Sequence, residues 1–174
     1  MDDGALSQAA RQAAAGDRDA FATVVRATQS DVMRACIAMV GAADAEDLVQ
    51  ETYLRAYDAL PTFAGQSQVR TWVLGIARHV CIDEVRRRTR RRSLLHRLPA
   101  RSEQQHEAAA TDISLLVRSL PDDQREAFVL TQVVGLSYAE AATACECPVG
   151  TIRSRVARAR AALISGLEES TQTG

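Results

Sequence analysis

Apolar residues recur at intervals of three and four along most of the chain, the spacing of helices buried on one face. In "DRDAFATVVRATQSDVMRACIAMV" (17–40), the stripe is Phe21, Val24, Val25, Val32, Ala35, Cys36 and Met39, with Asp17 placed to cap it. The Ala-rich stretch 5–15 predicts a short helix ending near Gly16. "DAEDLVQETYLRAYDALP" (44–61) sets Ala45, Leu48, Val49, Thr52 and Ala56 on one side. Its other side carries Asp44, Asp47, Glu51, Arg55 and Asp58. Pro61 closes this helix, because proline disfavours helical backbone in the residue before it. Residues 61–70 have loop composition. From Thr71 to Arg92 the spacing predicts a long helix that buries Trp72, Val73, Ile76, Ala77 and Val80 and exposes Arg78, His79, Asp83 and Arg86.

The period lapses over 93–111, where Pro99 and many polar residues read as a linker. It resumes at Ile113, Leu116, Val117 and Leu120, and Pro121 opens a further helix with Asp122 and Asp123 in its first turn, where the helix dipole favours acids. In "SYAEAATAC" (137–145), Ser137 and Glu140 have capping-box spacing, and Tyr138, Ala141, Ala142 and Cys145 make a narrow apolar face. After a short turn, Pro148 starts a last helix burying Val149, Ile152, Val156, Ala159 and Leu163. The predicted class is therefore all-α. Two small helical domains, 1–92 and 112–174, are joined by a flexible linker, and the second domain contains a helix-turn-helix. The linker offers little apolar surface, so the two cores are expected to stand apart.

Charge sharpens this picture. The last helix carries Thr151, Ser154, Arg155 and Arg158 opposite its apolar face, flanked by Arg153 and Arg160, with no acid over 149–165. A solvated surface helix usually mixes signs, so this face suits DNA better. In a helix-turn-helix the early residues of the second helix reach base edges, where Arg bonds guanine bidentately, while lateral arginines hold phosphates. A second cluster, "RRRTRRR" (86–92), sits at the end of the long helix and marks another nucleic-acid surface. Phe63 and Trp72 are available nearby for stacking. The net charge is only −1 despite 21 arginines, so attraction to DNA must be local.

The four cysteines, at 36, 81, 145 and 147, lack the spacing of a zinc site and read as small buried thiols. No signal peptide or membrane-spanning run is evident, which fits a cytoplasmic protein without membrane insertion. No metal, cofactor or catalytic constellation is expected, and His79, His96 and His106 have no evident partners.

"DAEDLVQETYLRAY", "RTWVLGIARHVCIDEVRRR", "LPDDQREAFVLTQVVGLSYAEAA" and "CPVGTIRSRVARARAAL" together resemble the extracytoplasmic-function sigma factors of bacterial RNA polymerase, within the sigma-70 family. The resemblance covers roughly 17–92 and 112–165 in order. It implies promoter-specific transcription initiation with core RNA polymerase and promoter DNA as partners, and an anti-sigma protein as a candidate third. It assigns Asp47, Gln50, Glu51 and Arg55 to the clamp helices of the largest polymerase subunit, and implies the flap as a further contact on core polymerase. Phe63, Arg70, Arg78, His79, Asp83, Arg86 and Arg87 fall to the minus-ten element. Thr151, Arg153, Ser154, Arg155 and Arg158 fall to the minus-thirty-five element. A helix-turn-helix regulator acting without polymerase is the main alternative, but it leaves 44–58 and 71–92 without a role. A helical interaction protein with no DNA role is a third class.

Overall fold

The computed structural model describes residues 2–95 and 112–172, so the expected linker lies outside the described residues from position 96 onward. Among the described residues there are eight α-helices: α1 (Asp3–Ala14), α2 (Arg18–Val40), α3 (Ala45–Ala59), α4 (Val69–Leu95), α5 (Asp112–Ser119), α6 (Asp122–Phe128), α7 (Tyr138–Ala144) and α8 (Val149–Gln172). Short 3₁₀ turns at Ala42–Asp44 and Leu60–Thr62 flank α3, and a π-turn at Val129–Val133 continues α6. No strand occurs among the described residues.

Local chemistry sets the helix ends. The Asp17 carboxylate accepts from the amides of Asp19 and Ala20 at 2.9 and 3.0 Å, satisfying two of the donors that a helix start leaves free. Gly41, at φ 101°, ends α2, and a Cβ there would lie 2.7 Å from Arg118 Nη1. Ser137 and Glu140 form the expected capping box, with Ser137 N donating to Glu140 Oε2 at 2.7 Å and Glu140 N to Ser137 Oγ at 3.2 Å. That contact with Ser137 holds the Glu140 carboxyl below its ordinary value. Pro61 does not stop the chain sharply: α3 ends at Ala59, and the 3₁₀ turn carries the backbone through the proline.

α2 is the central helix of the N-terminal unit and packs on α1, α3 and α4. Val24, Val32 and Cys36 of α2 are fully buried beside Val73, Leu74 and Ala77 of α4. The buried stripe of α4 is therefore Val73, Leu74, Ala77, Val80 and Cys81, rather than one including Trp72 and Ile76, which are only half-buried. Tyr53 reaches from α3 to share a 2.8 Å hydrogen bond with Thr28, and burial pushes its phenol up to about 12. In the C-terminal unit Leu130, Ile152, Val156 and Ala159 are buried, whereas Ile113 is 61% exposed and Val149 lies at the surface. Arg125, 6% exposed, fastens the α5–α6 corner by donating to the Arg118 carbonyl at 2.7 Å and pairing with Asp122.

The two units are present, but their cores do not stand apart. Buried residues of α2, α3 and α4 are continuous with Val117, Ala127, Leu130, Val134, Ala141 and Ile152 of the C-terminal unit. α4 packs on α7, and α2 packs on α5 and on the π-turn. The linear pattern does not mark this seam, because small and charged side chains share it with the apolar ones. Gly75 of α4 faces Ala144 of α7, small against small, and arginines bridge the remainder.

Candidate nucleic-acid interface

The C-terminal reader is built by a sharp turn between α7 and α8. Cys147 N donates to the Ala142 carbonyl at 3.0 Å and Glu146 N to that of Thr143 at 3.2 Å, the two bonds of a Schellman ending. Glu146 takes the left-handed position, φ 52°, that glycine usually fills. Pro148 then precedes the first residue of α8, and its carbonyl accepts from Thr151 N at 2.9 Å. Ile152, Val156 and Ala159 anchor α8, which leaves Arg153, Ser154 and Arg158 exposed. Thr151 is half-buried at the edge of this face. Arg155 departs from the expected exposed position: its side chain is 22% exposed and its Nε lies 3.2 Å from Asp123 Oδ2 of α6. Arg160, at the flank, donates to Gln132 Oε1 at 2.6 Å.

The N-terminal set is more scattered than the linear pattern implies. Phe63 packs on Trp72 with ring centroids 4.8 Å apart. Arg70 donates from Nε to Asp31 Oδ2 at 2.6 Å and from Nη2 to the Val134 carbonyl of the C-terminal unit at 2.8 Å. Arg78, expected on the exposed side of α4, instead turns into the seam and meets Glu126 of α6 at 2.7 Å, with side chains 14% and 7% exposed. His79 stays exposed beside it, 3.2 Å from Arg78 Nη1. Asp83 is exposed but bound to Arg55 of α3 at 2.9 Å. Arg86 and Arg87 are exposed, and Arg87 reaches Glu84 at 2.6 Å. Arg88 is not a free member of the basic ridge: it donates to Glu84 at 2.7 Å and to the Val40 carbonyl at 3.0 Å, and forms an ion pair with Asp44 at 2.5 Å.

On α3, Asp47 and Gln50 are exposed, while Glu51 and Arg55 are joined at 2.7 Å. Asp83 and Glu51 together hold the Arg55 guanidinium above its ordinary value, so it stays charged. Leu54, 64% exposed, lies one turn beyond Gln50, and Tyr57 follows at 41%. These two apolar side chains within a polar face escaped the sequence pattern because they sit outside the buried stripe. Asp31, Glu84, Asp123 and Glu126 were also missed. Their signal was the matching number of acids and arginines, which composition records but linear spacing does not pair. Among the described residues no group of side chains could hold a metal ion, and no helix is long and apolar enough to cross a membrane.

A capped helix, a tight turn and an arginine-bearing second helix, joined to an N-terminal helical unit with its own basic ridge, define a candidate DNA-binding protein of the helix-turn-helix class. The family description Sigma-70 region 2 matches residues 24–91, and Sigma-70, region 4 matches residues 111–163. The ECF RNA polymerase sigma factor SigC of Mycobacterium tuberculosis is 44% identical, the match covering 99% of this chain and 97% of that one. Two solved structures are also similar. CnrH in complex with the cytosolic domain of CnrY has a TM-score of 0.75 at 29% identity, over 95% of this chain and 98% of that one. RpoE in complex with the anti-sigma factor NepR, from Bartonella quintana, has a TM-score of 0.71 at 30% identity, over 85% and 96%. The chain belongs to the extracytoplasmic-function sigma factors of the sigma-70 family and directs promoter-specific initiation by RNA polymerase.

Proposed function

We propose the following division of labour for this sigma factor. Residues 1–92 bind core polymerase and capture the minus-ten element, 93–111 connect, and 112–174 read the minus-thirty-five element. On α8, Arg153, Ser154 and Arg158 face the bases, with Thr151 at the edge and Arg155 joining once its bond to Asp123 is exchanged for DNA. On α3, Asp47, Gln50, Glu51 and Arg55 meet the clamp helices, with Leu54 as an apolar anchor inside a polar rim. Exposed Ile113, Leu115, Ile164 and Leu167 on α5 and α8 offer the flap an apolar surface. The observation that carries this reading is the acid-free run from 149 to 167 on a helix whose polar side is exposed. The RpoE neighbour bound to an anti-sigma factor supports the same class of partner here.

The contacts of Arg70 and Arg78 add a condition. Both belong to the minus-ten set, yet both are engaged by the C-terminal unit in the free chain. DNA capture and interdomain packing then draw on the same guanidinium groups, so promoter reading needs the seam to open. Docking on core polymerase supplies that opening and fixes the spacing between the two readers. The test is transcription from matched promoters with purified core, comparing the parent chain with Asp47→Arg/Glu51→Arg. Loss of core binding and transcription by a folded variant supports the assignment, and unchanged binding removes α3 from the interface.

A further inference from the structure

Cys36 of α2 and Cys81 of α4 place their sulfurs 3.7 Å apart across the interface between the two helices. Both side chains are fully buried, and both are free thiols. Neither residue takes part in DNA reading or polymerase docking as described above. The contact is also unlike the pair at the reader turn. Cys145 and Cys147 are separated by one residue, and burial raises the Cys145 thiol to about 11. Cys36 and Cys81 lie 45 positions apart in sequence and meet through tertiary packing alone.

We propose that Cys36 and Cys81 form a modification site, a thiol pair that hydrogen peroxide converts reversibly into a disulfide stapling α2 to α4. The sulfurs must close from 3.7 Å to about 2.05 Å for the bond to form. The polarity of the pair sets the order of steps. Cys81 Sγ–H donates to Cys36 Sγ, which holds the Cys36 thiol below its ordinary value, while the same contact and burial hold Cys81 above its own. The Cys36 thiolate attacks one peroxide oxygen, breaking the O–O bond to give a sulfenic acid and hydroxide. The Cys81 sulfur then attacks the Cys36 sulfur, its proton leaves with the departing hydroxide as water, and the S–S bond forms. Two thiols are oxidised by two electrons, one peroxide is reduced, and two waters result. Because no solvent reaches either sulfur in the closed core, oxidant enters only as the α2–α4 interface breathes, so the reaction is slow beside that of an exposed thiolate.

The cross-link lies inside the N-terminal unit and leaves α8 and the exposed face of α3 untouched. It shortens the free length of the unfolded chain between α2 and α4, which stabilises the folded unit. The experiment treats the purified full-length protein with hydrogen peroxide, alkylates remaining thiols in denaturant and maps the cysteine peptides by mass spectrometry. Cys147, only half-buried, serves as the internal gauge of exposure to oxidant. The expected result is a Cys36–Cys81 cross-linked peptide that dithiothreitol reverses, accompanied by a melting temperature several degrees higher. The rise is absent in Cys81→Ala; if that variant does not fold, peptide mapping of the parent chain decides alone. Recovery of Cys36 and Cys81 as alkylated thiols after prolonged treatment, continued many times longer than the loss of Cys147 requires, overturns the proposal. Pairing of either one with Cys145 or Cys147 overturns it as well.

Discussion

Replacing Glu126 by alanine isolates the seam that joins the two helical units. In the closed chain the carboxylate sits 2.7 Å from Arg78, with side chains 7% and 14% exposed, so both charges have lost most of their water. Removing one partner of such a pair costs about 3–5 kcal/mol, chiefly because the remaining charge is left buried and unpaired. Arg78 can escape that penalty without unfolding, since separation of α4 from α6 returns it to solvent. Most of the cost therefore falls on the closed arrangement. Even 3 kcal/mol shifts the ratio of closed to open chains by roughly a hundredfold. Fluorescent labels at exposed Glu46 and Ala162 would report the distance between the units by energy transfer. The Glu126→Ala chain should show a longer, broader distribution, and Arg78→Ala/Glu126→Ala should recover part of the parent's closure because no buried charge is stranded. A distribution identical to the parent's, in a variant with unchanged circular dichroism, would refute the reasoning.

Other consequences follow from particular contacts. Glu146→Gly should stabilise the C-terminal unit by about 1 kcal/mol, since the left-handed position costs a side-chain-bearing residue about that much, and thermal melting reads it. Ser137→Ala removes half of the capping box and should destabilise the same unit by about 1 kcal/mol in denaturant titration. Arg158→Ala should cost about 1–3 kcal/mol of discrimination between minus-thirty-five sequences if it reads a base, whereas Arg91→Ala should weaken all promoters alike and flatten the salt dependence. Holoenzyme binding across promoter variants and salt separates the two. A uniform loss from Arg158→Ala reassigns it to a phosphate.

Much of the fold was legible because helices announce themselves through the spacing of what they bury. The stripe Leu48, Val49, Thr52 and Ala56 and the capping box at Ser137 both appear where the linear pattern put them. Helix ends were less legible: α4 begins at Val69, buried but embedded in a stretch of loop composition, rather than at Thr71, and α8 runs to Gln172, past the last buried position of its stripe. For the candidate DNA-reading residues, the linear pattern did not show their present partners. Arginine has the same sequence signature whether it awaits a phosphate, as Arg153 and Arg158 do in the proposed reading, or grips a carboxylate, as Arg78, Arg88 and Arg155 do. Only tertiary packing tells the two apart. The joined core was hidden for a related reason, since Gly75, Ala144 and a buried ion pair carry little hydrophobic pattern.

The most direct test of the account is a permanganate footprint of a matched promoter, with and without core polymerase, at physiological salt. Two linked readers whose proposed minus-ten residues Arg70 and Arg78 are held in an interdomain seam should leave the duplex closed on their own. Reactive thymines should then appear over the minus-ten region only when core is present, with the isolated chain giving weak, sequence-independent binding in a parallel gel shift. Tight, promoter-specific binding or strand opening by the chain alone would contradict the account.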